Sequence, residues 1–337
     1  MSVTMRDIAR MVGVSVSTVS RSLNDNPRIS AETRDRVKEV AAELDFDFNA
    51  NARSLSTHRS GTVALVVPDS IEHFDNSLYI NLLIHNLQRN LATLGLDCIV
   101  TEAATPSGAN TLRRLILQHK IDGALLLLAG TMPEDWALIR KRAIPVVQVH
   151  YAPYYFDASR LDYFFTDNAL GGRLAGDALL DTGCRHIAYL ADPSPNSEMA
   201  DREKGVKEAQ EKRGIVPDDT LRFEVKNNFS AAYTCIRDNI EAFRRADGLF
   251  APTDVMALAA LRAFADEGVQ VPRDIRVVGY DDIEIANWVR PTLTTIHQPR
   301  EEIARLATDR LCALLKGEGK GLEQRMIPPN LVRRESC

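Results

Sequence analysis

The run VSVSTVSRSLN, from Val14 to Asn24, starts with strict apolar and polar alternation, as in a half-buried strand, and abandons it at Thr18. Val19 and Leu23 then lie four apart, the spacing that puts two side chains on one helical face. A short helix is expected, with Ser15 as N-cap and its hydroxyl accepting from the amide of Ser17 or Thr18. Upstream, Thr4 and Asp7 make a capping-box-like start, Ile8, Ala9 and Val12 form an apolar stripe, and Gly13 ends it. Downstream, Ser30 caps a third helix from Ala31 to about Leu44, with Val37, Val40, Ala41 and Leu44 facing inward. Ala9 lets a second helix cross closely and Gly13 permits the sharp turn, which together specify a helix-turn-helix. Its second helix turns Val16, Ser17, Ser20 and Arg21 outward, an odd set for a solvated face, which would carry Lys and Glu.

From Thr62 the pattern changes. TVALVV, DCIVTEA, DGALLLLA, PVVQVH, DYFFT, HIAYLA, LRFEV, DGLFA and VVGYDD are expected to be strands buried on both faces, with amphipathic helices between most of them. Such alternation requires parallel sheets with right-handed crossovers, and the length suits two doubly wound lobes. Ligands of these sheets bind beyond the carboxyl ends of the strands. Those positions are polar here: His150 and Tyr151 after the fourth run, Asn168 after the fifth, Asn196 and Arg202 after the sixth, Thr253 after the eighth and Asp281 at the last. The helix near Tyr79–Leu94 is apolar at Tyr79, Leu83, Leu87 and Leu91 and also at Ile80 and Ile84, wide enough to serve both a lobe core and a neighbouring subunit.

Composition narrows the reading. A chain of 337 residues, 45% hydrophobic, builds more than one core. Its longest apolar runs fall far short of a membrane span and MSVTMRDIAR lacks the apolar stretch of a signal peptide, so a soluble cytoplasmic protein without membrane contact is expected. Cys98, Cys184, Cys235, Cys312 and Cys337 are scattered singly, which argues against a metal site or a disulfide framework. The net charge of −5 excludes a generally basic coat, yet residues 1–38 carry seven Lys or Arg against four acids. That local excess gives the odd helical face a partner, the DNA major groove. Val16, Ser17 and Arg21 are then placed to read base edges, Arg21 by a bidentate pair to guanine and Val16 against a thymine methyl. Thr4, Thr18, Ser20 and Asn24 are placed for phosphate or sugar.

Catalytic apparatus is not visible. There is no phosphate-binding glycine loop and no nucleophile elbow, and consecutive Asp281 and Asp282 at a strand end point to opposite sides, so they cannot flank one glycosidic bond. Neither an enzyme nor a cofactor is expected.

The blocks DIARMVGVSVSTVSRSLN, ISAETRDRV, NANARSL, TDNALGG, HIAYL, Arg202 with Gly205, TDVMALAALRAFADEG, VPRDIRVVGYDD and PTLTTIHQP occur in this order. In them the chain resembles the lactose- and purine-repressor (LacI-type) family. The resemblance implies a DNA-reading domain at 1–47 and a hinge at 48–60, where Asn49, Ala52, Arg53 and Leu55 enter the minor groove and Leu55 wedges a base step. It implies periplasmic-binding-protein-like lobes at 61–162 with 293–327 and at 163–292 with 328–337, the chain crossing near Asp162, Thr292 and Pro328. Arg202 and Asp281 match the family's effector-binding arginine and acid, and Tyr79 its aromatic platform, with His150, Tyr151, Asn196 and Thr253 beside them. The chain departs from the family at Phe48, where a proline is common, at Ser56, at His150, where aspartate is common, and at Thr253, where asparagine is. A histidine beside Arg202 would tolerate an anionic ligand such as a sugar acid or phosphate. The implied function is a homodimeric repressor on a pseudo-palindromic operator, switched by a small carbohydrate-like effector. The alternative is a catabolite-control regulator switched by a protein partner.

Overall fold

The three expected helices are α1 (Met5–Val12), α2 (Val16–Leu23) and α3 (Ala31–Glu43). The computed structural model describes residues 3–23, 25–46, 59–67, 78–102, 111–127, 133–151, 160–191, 193 and 197–337. Thr4 donates to Asp7 Oδ2 through its amide at 3.0 Å and its hydroxyl at 2.6 Å, and Gly13 closes α1 in the left-handed region at φ 77°. The Thr18 amide reaches Ser15 Oγ at 3.0 Å, so the helical period wins over the alternating one. Ile8, Ala9, Val19, Val37, Val40 and Ala41 form the core. Fully burying a larger aliphatic side chain is worth roughly 1.5–3 kcal/mol, so so small a core leaves this module a thin margin.

The rest is two parallel sheets. The first lobe contains β1 (Thr62–Val67), α4 (Leu78–Thr93), β2 (Asp97–Glu102), α5 (Thr111–Leu117), β3 (Gly123–Leu127), α6 (Pro133–Arg142), β4 (Val146–His150) and β5 (Asp162–Thr166). The second contains α7 (Asn168–Asp181), β6 (Ile187–Ala191), α8 (Glu198–Lys212), β7 (Arg222–Glu224), α9 (Phe229–Asp238), β8 (Gly248–Phe250), α10 (Asp254–Asp266), β9 (Arg276–Asp281) and β10 (Thr294–His297). The chain then returns through α11 (Arg300–Lys316) and β11 (Gln324–Ile327) and ends after β12 (Asn330–Val332). The strand orders are β11-β5-β4-β3-β1-β2 and β12-β10-β9-β8-β6-β7, all parallel except for the β10–β12 pair.

Strand pairing corrects two of the expected crossing points. β5 pairs with β4 and β11, and β10 pairs with β9, so residues 163–166 lie in the first lobe's sheet and 294–297 in the second's. The chain can leave a sheet only beyond its last paired residue, so it crosses after Thr166 and after His297. The third crossing lies between Ile327 and Asn330, beside the expected Pro328. β2 and β7, at sheet edges, are not buried on both faces as expected. The wide stripe of α4 is consumed inside the lobe: Tyr79, Ile80, Leu83, Ile84, Leu87 and Leu91 join the core shared with α11, leaving Leu78 and Leu82 outward.

In the second lobe α7 and α8 approach backbone to backbone. A Cβ on Gly172 would lie 1.9 Å from Arg202 O, and one on Gly205 2.1 Å from Ala169 O, so close helix packing accounts for these glycines. All five cysteines are free thiols. Among the described residues no helix is long and apolar enough to cross a membrane.

Candidate DNA-binding face and effector cleft

On α2, Val16, Ser17 and Arg21 are exposed, while Thr18 and Ser20 are half-buried. Val16 at 40% exposure is an apolar side chain with no fold-internal reason to face water. Val19 and Leu23 point the opposite way into the small core, so packing of one stripe fixes the orientation of the other. Thr18 shares a 2.9 Å hydrogen bond with the Ser15 hydroxyl, and Thr4 is exposed at the start of α1. Asn24 lies outside the described residues, as do Asn49, Ala52, Arg53 and Leu55 of the expected hinge and Asn196 of the expected cleft.

The cleft is assembled from strand ends of both lobes. Arg202, only 2% exposed, projects from α8. Its Nε donates to Asn168 Oδ1 at 2.8 Å and a terminal nitrogen to Pro252 O at 2.6 Å, and its guanidinium lies 3.9 Å from the Tyr280 ring centroid. That terminal nitrogen also stands 3.7 Å from Asp281. Asp281 ends β9 at φ 120°, with Asp282 at φ 54°. This turn is held by Asp254, whose Oδ2 accepts from the Ile283 amide at 2.9 Å and Oδ1 from the Thr295 hydroxyl at 2.6 Å. The two consecutive acids do diverge. Asp282 goes to Arg334 at 2.6 Å and His297 at 3.0 Å, and Asp281 accepts from Gln298 Nε2 at 2.7 Å. Burial pushes the Asp281 carboxyl up to about 6 against the opposing pull of Arg202 and Gln298.

From the first lobe come Tyr79, Gln148, His150 and Tyr151. His150 is buried at φ 74°, its ring centroid 5.3 Å from that of Tyr79. Its Nε2 faces Glu198 at 3.8 Å across the cleft, and the Tyr151 hydroxyl donates to Asp201 at 3.3 Å. This corrects the expected neighbour of His150, which is an acid rather than Arg202. The chain folds this way because Glu198 and Asp201 occupy the first turn of α8, directed at the opposing lobe, whereas Arg202 turns back toward Asn168. Burial alone would push Glu198 up, but His150 and Arg202 bring it down to about 2, so it stays ionised at neutral pH. Burial pushes the Tyr151 hydroxyl up to about 12.

Thr253 stands apart from this group. Its hydroxyl caps α10 at Met256 and donates to Asn227 at 2.8 Å, a local structural use. Sequence reasoning missed Glu198, Asp201, Gln148 and Gln298. The first two lie in a helix's first turn after a strand, where the strand-end rule could have found them. Gln298 sits at a lobe crossing and binds Thr166 on one side and Asp281 on the other, a role visible only once the crossing is placed.

Three buried polar atoms here have no hydrogen-bond partner among the described residues: Tyr79 Oη, Gln148 Oε1 and His150 Nδ1. Folded proteins rarely leave such atoms unpaired. Their presence on one side of a cleft whose other side carries Arg202, Glu198 and Asp281 is suited to a ligand rich in hydrogen-bonding groups.

A helix-turn-helix joined to two parallel-sheet lobes around a polar cleft is the architecture of a DNA-binding transcriptional regulator. Residues 4–49 match the bacterial regulatory proteins of the lacI family, and residues 177–337 match a periplasmic binding protein-like domain. The chain is 30% identical over 339 residues to the ribose operon repressor of Escherichia coli (strain K12), covering 99% of each. It is similar to the transcriptional regulator CelR in complex with cellobiose, at TM-score 0.75 and 28% identity over 99% of this chain and 100% of that one. It is similar also to the lac repressor dimer bound to operator and the anti-inducer ONPF, at TM-score 0.81 and 25% identity over 100% and 99%. The chain belongs to the LacI family of bacterial regulatory proteins.

Proposed function

We propose that the protein is a homodimeric repressor that reads a pseudo-palindromic operator and is switched by a neutral polyhydroxyl effector, a sugar or sugar derivative, bound between the lobes. The observation that carries the effector reading is the convergence of the unpartnered Tyr79, Gln148 and His150 atoms on a cleft facing Arg202 and Asp281. A trigger protein on the lobe surface would leave those atoms unsatisfied. The charge balance favours a neutral ligand. Glu198, Asp201 and Asp281 stand against Arg202, whose guanidinium is already engaged by Asn168, Pro252 and Tyr280. An anionic ligand would meet three acids and one occupied cation. The related regulator CelR is seen in complex with cellobiose, which supports the sugar class.

In this reading Val16, Ser17 and Arg21 touch base edges, and Thr4, Thr18, Ser20 and Asn24 grip phosphate or sugar. Asn49, Ala52, Arg53 and Leu55 order in the minor groove, coupling lobe closure to DNA. Residues 1–47 are the reading domain and 48–60 the hinge. One such domain reads too few bases for useful discrimination, and two-fold proteins read two-fold sites, so a dimer is required. Calorimetric titration with neutral pentoses, hexoses and disaccharides beside their acids and phosphates tests the ligand class. A neutral sugar should bind wild type and lose its binding in Asp281→Asn. Binding confined to sugar acids or phosphates would overturn the neutral assignment.

A further inference from the structure

The amino edge of the first lobe's sheet, where the chain arrives from the DNA-reading domain, is lined with cations. The edge is fixed by backbone bonds. Asp97 N donates to Gly61 O at 2.9 Å, Asp122 N to Thr62 O at 2.8 Å and Ala124 N to Pro145 O at 2.9 Å, so the entrances of β1, β2, β3 and β4 stand side by side. The amides of Ser60 and Gly61 both donate to the Asp122 carboxylate at 2.8 Å, which pins the incoming chain to this edge. Helices of a parallel sheet return to the amino edge, so the carboxyl ends of α5 and α6 open here. Beyond α5 come His119 and Lys120, and the last turn of α6 is Arg140, Lys141 and Arg142, all exposed. Lys316 and Lys320 extend the row at the entrance of β11.

These cations are uncommitted. Arg140, Lys141, Arg142 and Lys120 make no ion pair among the described residues, in contrast to Arg213, Arg222, Arg237 and Arg310, each tied to a carboxylate. The acids that could neutralise them are occupied. Asp122 holds Ser60 and Gly61, Asp162 holds Arg310 and the Glu323 amide, and Glu323 pairs with Arg325. Asp97 and Glu318 remain, one at each outer strand of the sheet. The middle of the edge is thus a basic strip on a chain of net charge −5. One cation at a helix carboxyl end complements the helix dipole. Three in succession on α6, with Lys120 beside them, exceed that need.

We propose that this strip is a second, sequence-independent DNA contact, in which Lys120, Arg140, Lys141 and Arg142 face phosphates of the duplex beside the operator. It rests on the hinge reading given above. Leu55 and Ser60 are five residues apart, which spans at most about 18 Å, so a minor-groove Leu55 keeps Ser60, on the same sheet edge as the strip, within roughly two Debye lengths of the duplex at 0.1 M salt. An acidic protein is the other class of partner for such a surface. The strip's place at the chain's entry from the DNA-reading domain favours DNA.

The test is the salt dependence of full-length protein binding to a long operator duplex and to a random duplex of the same length. Each phosphate contact adds about 0.9 to the slope of log K against log salt. The triple variant R140Q/K141Q/R142Q should lower that slope by roughly 2 to 5 per dimer on both duplexes and leave the preference for operator unchanged. Lys204→Gln, on the second lobe, should leave the slope as in wild type. If the triple variant melts early, Lys120→Gln alone should still lower the slope by about 2 per dimer. A wild-type slope in folded variants would overturn the proposal, whether the residues serve only the helix ends or an acidic protein. Failure of the base-reading assignment shows separately, as wild type that does not distinguish operator from random DNA.

Discussion

The two functional regions are built in opposite ways. The proposed reading face of α2 is exposed, contiguous in sequence and held by a core of six small or aliphatic side chains. The cleft is buried, assembled from strand and helix ends spread from Tyr79 to Gln298, and held by polar contacts that cross between lobes. A surface that reads DNA needs only correct presentation, because its partner supplies the other half of every hydrogen bond. A cleft that senses a small molecule must position each group against its neighbours beforehand, and it shows that demand as strained backbone at His150 and Asp281 and as orphaned polar atoms.

The contrast is broken most severely at Arg202. Arg202→Ala leaves Asp281 buried beside no cation, and loss of one partner from a buried pair typically costs about 3–5 kcal/mol. Denaturant unfolding should show that loss in the lobes, and calorimetry should show no effector binding. Arg21→Ala should behave differently, costing roughly 1–3 kcal/mol on cognate operator, relaxing preference at one position per half-site and leaving lobe stability untouched. Equal loss on cognate and random DNA would make Arg21 a phosphate contact instead.

Acid should separate the regions by sign. Asp281 is raised to about 6 when folded, so its protonated form is the one favoured by burial. Its contribution to stability is complete below the ordinary carboxylate range and lost as pH rises through about 6. Asp7 in the α1 cap is lowered by its bonds to Thr4, so its contribution is present above the ordinary range and lost as pH falls. Effector affinity should weaken below pH about 6, where Asp281 loses the negative charge it presents to the cleft, and titration calorimetry across that range measures it. The smallest effect is expected at Ser22, buried in α2 with a hydroxyl that has no partner among the described residues. Ser22→Ala should stabilise the reading module by up to about 1 kcal/mol, seen as a higher melting temperature, since an unsatisfied buried hydroxyl is removed.

The same contrast explains what could be read from sequence. Caps at Thr4, Ser15 and Ser30, the turn at Gly13 and the stripe through Val19 are local signals, and each element appears where they put it. All nine expected strands form; seven are buried along most of their length and read as continuous apolar runs, while β2 and β7 lie at sheet edges with much of their length exposed. β10, β11 and β12 escaped, being short or, in QRMI, polar at a sheet edge. Arg202, Asp281 and His150 were found through their places after strands, but the facing of His150 to Glu198 and the bridge through Gln298 depend on how two lobes meet, which no local pattern encodes. Thr253 matched by position while its hydroxyl serves Asn227 and the α10 cap.

In the proposed function cleft and operator are linked, and linkage is reciprocal. The direct measurement is operator affinity with and without a saturating neutral sugar identified by calorimetry, paired with affinity for that sugar with and without operator. Both affinities should change by the same factor, well removed from one, and Asp281→Asn should abolish the change while leaving operator binding without sugar intact. A sugar that binds the cleft tightly while operator affinity stays the same to within error would contradict it.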